Sequence, residues 1–571
     1  MLTTELQLLL KKAIKQVSEN EPEIIHLEET PNPEFGDFAS NEAMKLSKKM
    51  GENPRIIAEK IIAAIPQNSV IKKMEVAGPG FINIWLHDEI FNTAFVELCK
   101  LIKSQSFGHL NTGKGKTAIT DSSHPNIAKP MGVHHLLSTI IGQAINTLLS
   151  RSGYTVIRDN YIGDWGTQYG KLTYAIQTWG DMETIKEDPI PELLKLYVQF
   201  HDEAEKDENL LDKGREAFRK LEEGDQELNT LWQWIRDVSI DHCEQTWSRL
   251  GAIFDIKNGE SFYEKMLTDI IAEGQKKGVI TEGNEGALII KMDDENKPPA
   301  IIRKKDGATL YATRDLARVK YWQDELNGDL GINVVDVAQK LYFEQLFESA
   351  EKMGFTKMKH IHVDFGRMAF PEGSMSTRKG KVVLLEDVLD EAEKQALQKI
   401  KDHNSELSED DQKELARKLG IGAIKYNVLS QSRNKNYTFD WDVMLSFDGN
   451  SAPYLQYAYT RTQSILRKAP EFKTQNSLLL TPNSSEERSL LKKLLNYEPA
   501  IQRSLGEYKP NLLCTYLYEL AQTFSTFYNN LRVIDEQNPQ TTANRLKLVE
   551  STGYILKNGL EILGIEVPDR M

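Results

Sequence analysis

KTAITDSSHPNIAKPMGVHHLLSTIIGQAINTLLSRSGYTVIRD, residues Lys116–Asp159, holds two strand-like segments with one helical segment between them. TAITDSS opens with alternating β-branched residues, and a loop with two prolines follows. HLLSTIIGQAINTLLSRSG then sets Leu136, Ile140, Ala144 and Leu148 on one helical face and stops at Gly153. YTVIRD is strand-like again. Strand, loop, helix, strand is the βαβ unit that begins a doubly wound parallel sheet, in which ligands sit at strand ends and helix N-termini.

Around this unit the chain changes character twice. Upstream, an amphipathic segment MLTTELQLLLKKAIKQ, the turn-rich PNPEFGDFAS, helical spacing from Ala43 to Lys49 and the run VAGPGFINIWL describe a small α+β domain over residues 1–105. Downstream, residues 180–275 are helical and charged, as in PELLKLYVQFHDEAEK, and read as an insertion. The runs GALIIKM, PAIIRKK, INVVDVA and KHIHVDFG are then expected to complete the sheet, giving a domain over residues 106–445. Beyond it Leu513, Leu517, Leu520, Phe524 and Phe527 recur at helical steps, so residues 446–571 read as a helix bundle. The expected fold is multidomain α/β: a Rossmann-type parallel-sheet domain with a helical insertion, a small α+β N-terminal domain and an all-α C-terminal bundle.

Composition agrees with a folded multidomain chain: of 571 residues, 40% are hydrophobic and 27% charged, with no low-complexity tract. No run of about 18 apolar residues occurs, so neither a signal peptide nor a membrane span is expected. Three scattered cysteines form no CxxC or Cys/His cluster, so neither a disulfide framework nor a structural zinc is suggested and a reducing, cytoplasmic setting is expected. A net charge of −14 argues against non-specific nucleic-acid binding, yet leaves room for a shaped site with local basic groups.

Three segments carry candidate chemistry. DSSHPNIAKPMGVHH joins the first strand to its helix, where backbone N–H groups and the helix dipole favour a phosphate; the plainer alternative is a polar connection, since no P-loop glycine spacing is present. SMSTRKGK, Ser374–Lys381, offers paired cations able to screen a pyrophosphate leaving group, or else a basic surface turn. TLYATRDLA puts Tyr311 and Asp315 four residues apart on one helical face, an arrangement that more often marks a solvated face or a cap.

Taken together, DSSHPNIAKPMGVHHLLSTIIG, RDNYIGDWGTQYGKL, LYATRDLA, MSTRKG and GNSAPYLQYAYTR stand in the order found in arginyl-tRNA synthetases, and the chain resembles that family along nearly its whole length. NPEFGDFASNEAMKL and VAGPGFINI look like the family's N-terminal tRNA-binding domain; LYELAQTFSTFYNN with GLEILGIEVPDRM looks like its anticodon-binding bundle. GDWGTQ, Gly163–Gln168, is the most discriminating piece, because the histidine loop and the lysine loop are common to class I synthetases.

The resemblance implies ATP-dependent activation of L-arginine and its transfer to the terminal 2′-hydroxyl of tRNA(Arg), with Mg2+ arriving on ATP, no dedicated metal site, and a monomer that needs tRNA before it activates arginine. It maps ATP onto Met131, Gly132, Val133, His134 and His135 and onto Met375 and Ser376 in the lysine loop. Asp315 and Tyr311 match positions that hold the guanidinium; Asp121, Asn126 and Gln339 match positions that meet the α-amino and carboxylate end or line the pocket. A guanidinium calls for planar acceptors, and carboxylates that bind it bidentately are the strongest available. Phe81 and Asn83 fall where the N-terminal domain meets the tRNA elbow, by base stacking or as ordinary strand packing. Arg461, Arg467 and Lys468 fall where anticodon-arm phosphates would be met, or on a solvated helix face.

The sequence also departs from the family pattern. The signature histidine, apolar, glycine, histidine is replaced by Gly132, Val133, His134, His135, so His134 either blocks the base or shifts to replace the missing imidazole. Leu137 stands in place of the usual arginine and Tyr161 in place of the usual histidine. In the lysine loop Ser374 and Thr377 replace lysines, which leaves Lys129 and Lys379 as the expected partners of pyrophosphate. These changes motivate one alternative, a catalytically inactive relative that only binds tRNA. Against it stand the retained Asp121, Asn126, Tyr311 and Asp315.

Overall fold

In a computed structural model of the protein, residues 2–18, 25, 27–30, 33–283, 286–305, 307, 309–369, 383–403, 407–469 and 484–571 are described. The lysine-loop expectations, Met375, Ser376 and Lys379 among them, lie outside the described residues.

Four strands make a parallel sheet in the order Lys359–Phe365, Leu330–Asp336, Thr117–Asp121, Thr155–Asp159. Both faces of such a sheet are covered, so its strands are continuously apolar: Ala118, Ile119, Ile332, Val334 and Val363 are fully buried. From Thr117–Asp121 the chain crosses through the helix His134–Arg151 to Thr155–Asp159 on one side, and later returns to Leu330–Asp336 on the other. The direction of winding therefore reverses beside Asp121, the kind of point at which ligands bind in such sheets. Leu136, Ile140, Ala144 and Leu148 are buried on the helix face turned to the core, as their spacing requires.

One expectation is corrected. GALIIKM and PAIIRKK do not join the parallel sheet; they supply Leu288–Ile290 and Ala300–Arg303, which pair antiparallel with each other and with Thr281–Glu282. The connection between them is too short for the crossover that parallel pairing needs. INVVDVA and KHIHVDFG do enter the parallel sheet.

The N-terminal region folds around a four-stranded antiparallel sheet in the order Leu27–Glu29, Phe38–Ser40, Phe81–Leu86, Ile71–Ala77, packed by helices that include Leu2–Ser18 and Pro54–Ala64. Helices from Met182–Glu187 to Leu267–Lys276 stand between the second parallel strand and the small antiparallel sheet. The last part of the chain is helical: Ala452–Arg467, Ser485–Leu495, Tyr497–Gly506, Pro510–Asn530 and Pro539–Ile562. Leu513, Leu517, Leu520, Phe524 and Phe527 are all fully buried there. Among the described residues no helix is long and apolar enough to cross a membrane.

Candidate active site

Asp121 closes the first parallel strand with its carboxylate 1% exposed. An isolated buried carboxylate is untenable, and this one is fully engaged. Oδ1 accepts from the Tyr161 amide at 3.1 Å, and Oδ2 faces His124 Nε2 at 3.0 Å and accepts from Arg318 Nη1. Burial works to raise its pKa, but His124 and Arg318 outweigh burial and hold the carboxyl well below the usual range.

Arg318 lies on the helix Tyr311–Asp324, three residues after Asp315, and is itself buried. Its Nη2 donates to Asn333 Oδ1 at 3.0 Å and stands 3.2 Å from Asp315 Oδ1. The guanidinium is stacked between the rings of Tyr161 and Trp322, at 4.4 and 4.8 Å from their centroids. Asp315 also accepts from the Tyr342 hydroxyl, and burial raises its carboxyl pKa against the opposing pull of Arg318. Behind this group Trp322 Nε1 donates to Asp159 Oδ2 at 2.8 Å. Burial, with Asp121 adding to it, pushes Asp159 up to about 7. Asp121 and Asp315, predicted as amino-acid ligands, are thus brought together at the switch point. Arg318, Asn333 and Tyr342, which complete the cluster, are not singled out by the sequence reading.

The loop after Asp121 is tightly constrained. Ser123, His124 and Ala128 all have positive φ, of 82°, 55° and 63°, a region that non-glycine residues occupy only when their surroundings impose it. Ser123 N donates to Ser138 Oγ at 2.9 Å, which in turn donates to the Val334 carbonyl at 2.7 Å, and Ala128 N donates to Ser239 Oγ at 2.8 Å. Asn126 is exposed and pairs with Gly163, where a Cβ would lie 2.3 Å from Asn126 Oδ1. GDWGTQ accordingly acts as a clamp. Gly163 backs Asn126, while buried Asp164 accepts from Ser261 N at 2.9 Å, Ser261 Oγ at 2.8 Å and Arg236 Nε at 3.1 Å.

Met131 to Val133 run beside the chain that leaves the lysine loop: Val133 N donates to Val383 O and Leu385 N to Met131 O, both at 2.9 Å. His135 stands in the first turn of the following helix with its ring buried, and its Nδ1 lies 3.1 Å from both the amide nitrogen and the carbonyl oxygen of Gly132. Burial lowers the His135 pKa to about 3, so the imidazole is neutral. The His134 ring lies 3.9 Å from that of His135 and is exposed. Lys129 Nζ sits 4.1 Å over the Tyr197 ring. Gln339 is exposed in the turn after Leu330–Asp336, at the same end of the sheet as Asp121. Tyr311 is 59% exposed at the start of its helix and shares with Tyr342 the wall of a largely apolar cavity of about 320 Å³. Among the described residues no group of three or more His, Cys, Asp or Glu is arranged to hold a metal ion.

Away from this centre, Asn83 is 6% exposed and Phe81 is half-buried on their strand. Arg461 lies between the rings of Tyr457 and Tyr528, at 5.3 and 5.0 Å, in a groove it shares with Arg467, Lys468, Arg532 and Arg570.

A parallel sheet with buried polar groups gathered at its switch point, a histidine-bearing loop leading into the first helix and a helical bundle that carries a basic groove are the parts of a class I tRNA synthetase. Residues 97–441 match the family model for the catalytic domain of class I tRNA synthetases (R), residues 4–86 that for the arginyl tRNA synthetase N terminal domain, and residues 455–571 that for the DALR anticodon binding domain. The chain is 40% identical to an arginine–tRNA ligase of Halothermothrix orenii over 97% of both chains, and 41% identical to one of Fusobacterium nucleatum over 95% of this chain and 94% of that one. It superimposes on the arginyl-tRNA synthetase of Plasmodium falciparum with a TM-score of 0.82 at 26% identity, covering 100% of this chain and 99% of that one. With that of Thermus thermophilus the TM-score is 0.84 at 24% identity over 100% of both, a likeness of fold. The chain belongs to the arginyl-tRNA synthetase family.

Proposed function

We propose that the crevice between Asp121 and Asp315 is the arginine subsite of an arginine–tRNA ligase. The protein activates L-arginine with ATP and esterifies it to the 3′ end of tRNA(Arg). In the first step a carboxylate oxygen of arginine attacks the α-phosphorus, arginyl-adenylate forms and pyrophosphate leaves. In the second, a hydroxyl of the terminal ribose, the 2′-hydroxyl in this reading, attacks the activated carbonyl and AMP leaves. No covalent enzyme intermediate is needed; the protein positions the reactants and stabilises charge.

One observation carries the reading: two carboxylates from different elements, with the planar amide of Asn333, converge on a guanidinium at the switch point. The same acceptors suit a substrate guanidinium and disfavour an ammonium, which cannot form the planar fork. Tyr311, one turn from Asp315, flanks the side chain; Asn126 and Gln339 serve the α-amino and carboxylate end. ATP lies along Met131 to His135 at the N-terminus of the helix His134–Arg151, where backbone N–H groups and the helix dipole favour phosphate oxygens. Met375 and Ser376 complete the nucleotide contacts. Lys129, turned from Tyr197 toward the phosphates, and Lys379 stabilise pyrophosphate, and a donor of this kind is worth about 3 to 4 kcal/mol of barrier. Mg2+ enters on the ATP phosphates. Phe81 on the N-terminal domain and Arg461 on the bundle meet tRNA, and Asn83 supports the strand from within. The enzyme works as a monomer in the cytoplasm.

The test is ATP-dependent charging of tRNA with arginine, run with lysine as the control amino acid and beside Asp315→Ala. Charging with arginine alone, lost in the variant, is expected. Tight tRNA binding without charging would instead favour the inactive, tRNA-binding alternative.

A further inference from the structure

The acceptors assigned to the substrate are already in use. All four carboxylate oxygens of Asp121 and Asp315 face a partner within the chain, and the partner common to both residues is the guanidinium of Arg318. This group is chemically the same as the end of the substrate side chain. It is held as a ligand would be, 4.4 and 4.8 Å from two aromatic ring centroids and bound by planar acceptors.

The fit is nevertheless incomplete. Arg318 Nε and the Tyr161 hydroxyl are buried without a hydrogen-bond partner among the described residues, and Asp315 Oδ1 faces Arg318 Nη2 at 3.2 Å without hydrogen-bond alignment. Buried polar atoms left unsatisfied weaken the state that contains them, so exchange of this guanidinium for a better-seated one is favoured. Two carboxylates, Asp121 and Asp315, contact this one guanidinium and a third, Asp159, acts on it electrostatically, which leaves the cluster rich in acceptors.

We propose that Arg318 is a resident guanidinium in the place of the substrate's, and that incoming arginine binds by displacing it from Asp121 and Asp315. The proposal rests on the assignment of these two carboxylates to the arginine subsite. A tethered competitor lowers apparent affinity by the fraction of molecules in which the subsite is vacant. It also sharpens selection, because a point-charge ammonium competes poorly with a planar fork already in place.

Isothermal titration of arginine into the wild type, Arg318→Ala and Arg318→Lys decides the matter, with circular dichroism on each protein and arginine charging measured alongside. The expected result is arginine binding at least about tenfold tighter in Arg318→Ala, the change a subsite vacant in a tenth of molecules would give. Arg318→Lys, which keeps the buried charge and so the fold, should lie between. As a second readout, millimolar guanidinium chloride should raise the melting temperature of Arg318→Ala and not that of the wild type. Unchanged or weaker arginine binding in a folded variant, while Asp315→Ala still abolishes charging, would show Arg318 to be a fixed wall of the pocket and would overturn the displacement alone. Charging that is insensitive to both Asp315→Ala and Arg318→Ala would overturn the subsite assignment itself.

Discussion

Arg488 grips Asp37 with both ends of its guanidinium, Nε to Oδ1 at 2.8 Å and Nη2 to Oδ2 at 2.7 Å, across 451 residues of chain. Asp37 is 4% exposed, and the same guanidinium lies 4.0 Å over the Phe91 ring and pairs with Asp88. The helix Ser485–Leu495 of the bundle is thereby fastened to the N-terminal domain at one bidentate point. Removing one partner leaves the other with a weaker set, Asp88 for Arg488 and Lys492 at 3.8 Å with the Leu86 amide for Asp37, so the cost falls below the roughly 3 to 5 kcal/mol of a fully stranded charge. Arg488→Ala is therefore expected to lower the melting temperature clearly, and Asp37→Ala to do the same. The double variant should lose less than the sum of the two, which a double-mutant cycle by calorimetry measures; full additivity would deny the coupling.

At the amino-acid end, Asp315→Asn keeps the shape of the side chain and its contact with Tyr342 while removing its charge. A charge-assisted hydrogen bond is worth about 1.5 to 3 kcal/mol, so kcat/KM for arginine should fall roughly 10- to 150-fold. The loss should fall mainly on the KM for arginine and leave that for ATP close to the wild-type value. Equal losses in both would move Asp315 out of the amino-acid subsite.

Asp315 stands out in the sequence four residues after Tyr311 on one helical face, whereas Asp121 is legible only through the resemblance of DSSHPNIAKP to the family's loop. Arg318 is not, although it stands three residues after Asp315. An Asp and an Arg at that spacing describe an exposed helix pair equally well. Only the packing of Tyr311–Asp324 against the sheet, which brings Asp121 from 197 residues away, makes the pair buried and binding. The misplacement of GALIIKM and PAIIRKK has a similar cause. Short apolar runs look alike in parallel and antiparallel sheets, and what separates the two is the length of the connection. The helical periodicity after residue 510 needs no such context, since one buried stripe accounts for it.

Gly163 has no room for a side chain, since a Cβ would meet Asn126 Oδ1 at 2.3 Å. Its amide and carbonyl also hold the loop, N to Pro125 O at 3.0 Å and O from Ile127 N at 3.2 Å. Gly163→Ala should push Asn126 away from the substrate end while the sheet, whose strands stop at Asp121 and Asp159, stays intact. A drop in arginine charging of about a hundredfold, the scale of a misplaced positioning group, is expected with little change in melting temperature. Wild-type charging in a folded variant would remove Asn126 from the list of arginine ligands.

Glu260 gives the protein a pH dependence with a definite sign. Burial raises its carboxyl to about 8, against the pull of Arg314 at 3.9 Å, and the nearby Asp164, Asp315 and Glu264 add to the rise. The folded protein therefore binds this proton more tightly than the unfolded chain does. Its contribution to stability is fully present below the ordinary carboxyl pKa of about 4.5 and is lost as pH rises through about 8. Glu260→Gln, which mimics the protonated form, should be more stable than the wild type at pH 9 and no more stable at pH 5. Denaturant melts at the two pH values measure this, and a variant less stable at pH 9 would show that the charged form is the one the fold prefers.

Among the described residues Arg461 has no carboxylate on it; its guanidinium lies 5.3 and 5.0 Å from the ring centroids of Tyr457 and Tyr528, with Nη2 3.4 Å from the Tyr457 hydroxyl. Beside these two rings it lines a groove together with Arg467, Lys468, Arg532 and Arg570. An arginine that meets a phosphate contributes through released counterions, so its removal lowers affinity and also flattens the dependence of affinity on salt. Arg461→Ala should weaken tRNA binding at low salt and reduce the slope of log K against log salt by about 1. The KM values for ATP and arginine should not change, because the groove is separate from the crevice at Asp121. If affinity falls while the salt slope is unaltered, Arg461 acts by stacking on a base or by holding the two tyrosines, and the phosphate contact is wrong.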